Sequence, residues 1–328
     1  MFQKVKQKFV TWYAEARLIA KISVWAIAGL LLLGLTGGLV SHLTYHRQTQ
    51  AFLYEAGKKV PFDPRVTQQA GMKPGAIVAN AIISEINGML YSGWFGYQPN
   101  KPWRILLPDN LEYTQLGKHE ALYFFVKWFN ESGVATMGDK QAALLQNVLG
   151  KLGREPKIFW ALPNSAMDYA SAIAVLEQYI QDLNAGQASA PDIMQRQPAL
   201  ASVLREAMRR MSSLNEDLIH HDSLFGTDAK LYKAIGEAQV TYTVLSAIRI
   251  AMEPTLKTTS PDATVKFDET LEALREAAEY KPLLALSNDK YTRALPVIDD
   301  TLREHSALLG YAFMKLSVAT EMFASRTQ

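Results

Sequence analysis

The sequence contains no cysteine, which excludes disulfide scaffolds, thiolate metal sites and a cysteine nucleophile. It also lacks an excess of one charge, since 34 lysine and arginine residues stand against 32 aspartate and glutamate residues. The net charge of +2 gives no indication of a nucleic-acid partner. With 48% hydrophobic residues over 328 positions, the chain is long and apolar enough to form one large domain or two smaller ones.

Sequence motifs of common catalytic chemistries are absent as well. Residues 93–96 are glycine-rich but lack the lysine and the preceding strand of a phosphate-binding loop. No Gly-x-Ser-x-Gly nucleophile motif occurs. The sequence therefore predicts no catalytic residue and no cofactor-binding residue.

The best cluster of metal-ligating residue types lies at residues 216–222, which read Glu-Asp-Leu-Ile-His-His-Asp. On a helix, Asp217 would share a face with His220 and His221. A metal site needs three or four converging ligands, and di-iron bundles repeat Glu-x-x-His on a second helix, whereas this chain has a single Asp-x-x-His. We interpret the cluster as the polar end of an amphipathic helix and predict no metal.

The most informative segment is Ile22–Val40, nineteen residues without a charge. About 20 apolar residues cross a ~30 Å hydrocarbon core as a helix. Five lysine or arginine residues and a single glutamate precede it, which predicts a cytoplasmic N-terminus and, in a Gram-negative bacterium, a periplasmic main domain. The predicted regions are a cytoplasmic N-terminus (1–21), a transmembrane helix (22–45), a juxtamembrane segment (46–74) and a periplasmic helical domain (75–328) with a possible sub-boundary at 255–265.

Two alternatives for this segment are a cleaved signal peptide and a buried core helix. A signal peptide has an apolar region of ~7–15 residues that ends in a small-residue cleavage site, and a core helix usually has a polar face. We therefore predict an uncleaved inner-membrane anchor. Gly34 and Gly38 lie at the spacing that lets two membrane helices approach closely, although glycine is also common in membrane helices generally.

Apolar residues recur at helical spacing through the rest of the chain, and strand patterns are scarce. Two later apolar segments, 231–252 and 302–323, each contain ionisable residues that cost at least ~2.5 kcal/mol in lipid, so we predict both as core helices. The predicted helices are Gly75–Tyr91, Asn110–Asn130, Asp139–Leu152, Ser165–Leu183, Pro198–His221, Thr227–Met252, Asp268–Tyr280 and Pro296–Ala324. The predicted fold is all-α, with one N-terminal transmembrane helix followed by a periplasmic multi-helix bundle.

Glu237 lies inside a helix that is predicted to be buried, where a carboxylate must be paired, hydrogen-bonded or protonated. Arg249 follows twelve residues later in the same helix, so both could lie near one face. Glu237 and Arg249 are therefore a candidate buried polar site. One interpretation is an acid with a perturbed pKa that lines a cleft; the favoured one is a structural ion pair with another helix.

An aromatic segment rich in glycine and proline holds Trp94, Phe95, Tyr97 and Trp103. Several rings on an irregular loop could contact a partner, a lipid headgroup or a sugar. The same rings could instead fold back and cover the helical bundle. We identify this segment as a candidate partner-contact loop and leave both interpretations open.

Three short motifs resemble proteobacterial inner-membrane proteins of the family called domain of unknown function 2333. The motifs are Pro108-Asp109-Asn110, Trp160–Ser165 with Tyr169, and Tyr232 with Gly236 and Ala238 leading to Leu245 and Ala247-Ile248. Where the family pattern has Gly-Gly-Tyr, this chain has the sequence of residues 93–97. The resemblance implies a single N-terminal span and a helical outside region, and it implies no catalytic residues.

The leading functional prediction is a membrane-anchored, non-enzymatic periplasmic scaffold or accessory subunit of an envelope complex. Its expected partners are the lipid bilayer and either another envelope protein or a second copy of the chain. One alternative is a lipid or hydrophobic-ligand binder, since 11 methionines and many aromatic residues could line an apolar cavity. A less favoured alternative is an envelope hydrolase that uses carboxylates such as Glu237 or Glu120.

Overall fold

The computed structural model describes Trp25 and Gly29, which are both helical, and residues 72–91, 96–100, 110–133, 139–158, 164–185, 197–219, 224–254, 256, 261–280 and 301–325. From residue 72 onward the described part forms eight α-helices and no strand, which confirms the all-α prediction. The helices are α1 (Pro74–Tyr91), α2 (Asn110–Gly133), α3 (Asp139–Leu152), α4 (Ser165–Asn184), α5 (Gln197–Ile219), α6 (Leu224–Ala251), α7 (Pro261–Ala278) and α8 (Thr301–Ser325).

Local sequence signals set several helix starts. Pro74 opens α1 at a position where the missing N–H has no intrahelical acceptor. Asn164 caps α4, because its side-chain oxygen accepts a hydrogen bond from the backbone N–H of Met167 at 3.0 Å. The predicted starts of α3 at Asp139 and of α4 at Ser165 agree with the structure.

The predicted start of α7 at Asp268 is wrong, and the helix begins inside the possible sub-boundary predicted at 255–265. The helix begins at Pro261 and has Asp262 in its first turn. Proline suits the first helical position, and an acidic residue there interacts favourably with the helix dipole. Pro261 and Asp262 were both visible in the sequence, but the prediction gave more weight to the polar composition of residues 255–265.

Helix α6 is the centre of the described fold. It packs extensively on α2, and also on α1 and α7. Long runs such as 234–238 and 244–248 are buried on every side, and several of their residues are small. Helices α3 and α4 complete the layer around α1 and α2, while α5 and α7 pack on α8.

Glycines make the contact between α2 and α6 unusually close. A Cβ atom added to Gly117 would overlap with the backbone carbonyl oxygen of Lys233, and one added to Gly236 would overlap with that of Thr114. Each glycine therefore lies directly against the backbone of the other helix. The two helices can approach this closely only because each has a glycine, which lacks a side chain, at the crossing.

The predicted transmembrane segment lies outside the described residues, apart from Trp25 and Gly29. Within the described part, one stretch, Glu304–Ala324 of α8, is long and apolar enough to cross a membrane, with a mean hydropathy of 1.2. Its residues Leu309, Leu316 and Phe323 are fully buried against the rest of the fold. Only 33% of this window is buried, and we treat α8 as part of the helical domain because it packs on α5 and α7.

Candidate functional site

Two polar clusters involve α2 and α6, the two helices of the glycine crossing. The first, which we call the Glu237 cluster, joins three helices. Arg210 of α5 donates from Nε to Oε2 of Glu237 at 2.7 Å and from Nη2 to Oε2 of Glu120 at 2.8 Å. Lys233 of α6 places its ammonium 2.8 Å from the other oxygen of Glu120. These ion pairs therefore connect α5, α2 and α6.

The electrostatics of the Glu237 cluster are asymmetric. The side chain of Glu237 is 1% exposed, whereas that of Glu120 is 41% exposed. Burial raises the pKa of Glu237 to about 7, in spite of the opposing effects of Arg210 and Lys233. The Oε1 atom of Glu237 has no hydrogen-bond partner among the described residues. This carboxyl group therefore exchanges its proton near neutral pH.

The second cluster, the Glu85 cluster, also involves α2 and α6 and adds α1. Glu85 of α1 accepts from Lys118 of α2 at 2.9 Å through one oxygen and from the hydroxyl of Thr243 on α6 at 2.6 Å through the other. The side chains of Glu85 and Lys118 are only 12% and 16% exposed. Both carboxylate oxygens are thus bound, and the cluster braces α1, α2 and α6.

Both clusters connect helices, and the charged side chains of each cluster form ion pairs with one another. The guanidinium of Arg210 lies between two carboxylates, so it keeps them from acting as an independent acid and base pair. Within the described ranges, no group of three or more histidine, aspartate or glutamate residues converges as a metal site would require. The geometry is that of a brace, with one proton-exchanging carboxyl at its buried end.

The candidate residues named from the sequence have different surroundings. Glu237 pairs with Arg210 on another helix, whereas Arg249 makes a two-point ion pair with Asp268 of α7 at 2.8 and 3.1 Å. Arg249 is therefore not the partner of Glu237. Twelve residues correspond to about 18 Å along a helix, which is too far for a contact between the two side chains.

The aromatic segment is described only in part. Tyr97 is fully buried, and its ring is nearly perpendicular to that of Tyr169, with the two ring centroids 5.6 Å apart. Gln115 fixes the backbone there by accepting from the N–H of residue 98 and donating to the carbonyl of residue 96. Tyr97 therefore covers the bundle and is not exposed to a partner. The remaining candidates lie outside the described residues: Trp94, Phe95, Trp103, Gly34, Gly38, His220 and His221.

The sequence analysis did not identify Arg210, although this residue is the link in the Glu237 cluster. Helix α5 also carries Arg205 and Arg209, which are exposed. Amphipathic spacing alone would place residue 210 close to Ala207 and Met211, which are buried. An arginine on the apolar face of a helix was the available signal.

No family model, no curated protein and no solved structure matches this chain. The resemblance to the inner-membrane family therefore stays a prediction.

Proposed function

We propose that this protein is a membrane-anchored, non-enzymatic scaffold or accessory subunit of a bacterial envelope complex. In this proposal Ile22–Val40 is an inner-membrane anchor, the N-terminus is cytoplasmic and the helical domain is periplasmic. Support for the anchor comes from the uncharged nineteen-residue segment and the basic residues before it. Ion pairs that brace the helices to one another suit a rigid domain whose role is to hold a partner in place.

The observation that carries the proposal is an apolar stripe on α8, formed by Tyr311, Met314 and Val318. These side chains are 47%, 52% and 41% exposed. Their spacing of three and four residues places them on one side of the helix, while Leu309 and Leu316 on the other side are buried. Large apolar side chains grouped on one exposed helix face are typical of an interaction surface.

We infer that a second copy of the chain occupies this stripe. Three half-exposed side chains offer much less than the roughly 800 Å² per partner that a stable interface buries. A patch of this size becomes sufficient when the two domains are already held together, because tethering raises their effective concentration. Anchors associated through Gly34 and Gly38 would provide that tether.

Site-specific photocrosslinking in native membranes tests the proposal. Met314→p-benzoylphenylalanine should give a covalent dimer, and Glu276→p-benzoylphenylalanine, on an exposed acidic position of α7, should not. The double variant Gly34→Ile with Gly38→Ile should reduce the dimer. A discrete crosslinked product with one other envelope protein would show that this protein, and not a second copy of the chain, occupies the stripe. Equal crosslinking at positions 314 and 276, or none at either, would contradict the use of the stripe.

A reporter fused to the C-terminus tests the membrane topology separately. Alkaline phosphatase at this position should be active, because it folds only after export, and green fluorescent protein should be dark when exported through the same route. The reverse result would place the helical domain in the cytoplasm. It would also remove the periplasmic part of the proposal.

A further inference from the structure

We propose that a second site, the cleft between the end of α3 and the start of α4, binds a phosphate group. The cleft is shallow and open to solvent, with a volume of about 510 Å³. Its walls include Asn147, Gly150, Lys151, Arg154, Ile158 and Asp168. None of these residues belongs to the Glu237 cluster or to the α8 stripe, so the proposal stands independently of the proposed scaffold function.

The loop that forms one wall of the cleft is held by buried side chains. Nε2 of His119 donates to the carbonyl of Leu152 at 2.7 Å, and the hydroxyl of Tyr169 donates to that of Arg154 at 2.6 Å. The hydroxyl of Ser165 donates to the carbonyl of Pro156 at 2.8 Å. All three donors are buried, so the backbone that carries Arg154 is fixed before any ligand arrives.

The buried donors also support one another. The ring of His119 stacks on that of Tyr169, with their centroids 4.9 Å apart. Burial lowers the pKa of His119, so the imidazole is neutral near pH 7. Because Nε2 faces a carbonyl oxygen, it carries the single proton of the neutral ring. The loop is therefore held by neutral hydrogen bonds that leave its cations available.

Charge in the cleft favours an anion. Asp168 holds the guanidinium of Arg154 through a contact of 2.8 Å between Nη1 and Oδ2. The side chain of Arg154 is 29% exposed, so part of its guanidinium remains accessible from the cleft. Lys151 has no acidic partner in the described part of the chain. Two cations thus face one carboxylate, and that carboxylate orients the guanidinium.

The donors identify the ligand chemistry. A guanidinium, an ammonium and the amide of Asn147 provide hydrogen-bond donors on one cleft, which suits the several oxygens of a phosphate. A Cβ added to Gly150 would meet no atom within 4 Å, so space for a ligand remains there. Ile158 offers an apolar contact for the organic part of a phosphate ester. The phosphate could belong to a soluble ester, to inorganic phosphate or to a lipid headgroup.

Calorimetric titration of the full chain in detergent tests the site. The probes are inorganic phosphate and dihexanoyl phosphatidylglycerol below its critical micelle concentration. Lys151→Gln should weaken binding roughly ten-fold or more, as expected for the loss of a charge-assisted hydrogen bond. Lys157→Gln is the matched control, since Lys157 is exposed on the same loop but does not line the cleft, and its affinity should stay within about two-fold of the wild type.

A second variant does not depend on removing any native contact. Gly150→Glu places a carboxylate in the cleft and should weaken binding at least as much as Lys151→Gln. Gly150→Ala is its control, with unchanged binding expected. Tighter binding of the lipid would identify a headgroup site, and equal or tighter binding of inorganic phosphate a soluble ligand. The proposal fails if neither probe binds saturably, or if both Lys151→Gln and Gly150→Glu bind like the wild type.

Discussion

The Glu85 cluster and the Glu237 cluster both involve α2 and α6, the two helices of the glycine crossing, and they use their carboxylates differently. Glu85 accepts a hydrogen bond through each oxygen, from Lys118 and from Thr243. Glu237 accepts through one oxygen only, from Arg210. Position within the fold therefore decides whether a buried carboxylate is fully satisfied, and an incompletely satisfied one is sensitive to pH.

Gly236→Ala should have the largest effect, because it disturbs the crossing that holds both clusters. The added methyl group would overlap with the carbonyl of Thr114, so α2 and α6 must separate. We expect a loss of about 3 kcal/mol or more in the free energy of unfolding, measured by urea denaturation. Gly88→Ala is the control, since its Cβ meets nothing within 4 Å and should stabilise α1 by up to about 1 kcal/mol. Similar results for both variants would contradict the close crossing.

Arg210→Met should come next and should be more harmful than Lys118→Met. Removing Arg210 leaves Glu237 buried without an ion-pair partner, which costs about 3 kcal/mol. Glu85 would still accept from Thr243 when Lys118 is replaced, so that variant should lose less. The double variant Arg210→Met with Glu237→Leu should recover most of the lost stability. Equal losses of unfolding free energy in Arg210→Met and Lys118→Met, measured at pH 8, would contradict the proposed difference between the two clusters.

Glu237→Gln should change how stability depends on pH. The folded pKa of about 7 lies above the ordinary value of 4.5, so between these values the folded state holds a proton that the unfolded state has lost. The stability from this group is fully present below pH 4.5 and is lost as the pH rises through 7. Over that window the loss amounts to about 3 kcal/mol at most. The variant should lack this decline in urea titrations, while Glu85→Gln should retain it.

His119→Gln should have the smallest effect and a pH dependence of the opposite sign. Burial lowers the pKa of His119 below its ordinary value of 6.5, so the stability from its neutral form is present above pH 6.5 and is lost as the pH falls. Losing the hydrogen bond to the carbonyl of Leu152 should cost about 1 kcal/mol at pH 8. The difference from the wild type should shrink toward pH 5. A difference that grows on acidification would contradict a neutral imidazole.

For the Glu237 cluster, the sequence predicted the burial of the carboxylate but not its ion-pair partner. Burial of Glu237 was predictable from its apolar neighbours, and so was its need for a partner. Its partner was not predictable, because Arg210 and Glu237 are 27 residues apart and meet only when α5 lies on α6. Tyr97 illustrates the same limit, since the sequence allowed the ring to cover the bundle or to contact a partner, and its contact with Tyr169 decides for covering.

The sequence by itself determined the all-α class and most helix positions, because apolar spacing, caps and prolines act within a few residues of the chain. Only the tertiary structure decided which helices cross at Gly117 and Gly236 and which charges pair between helices. Those features depend on side chains far apart in sequence. Their contacts are fixed by how whole helices pack, and no local pattern encodes that packing.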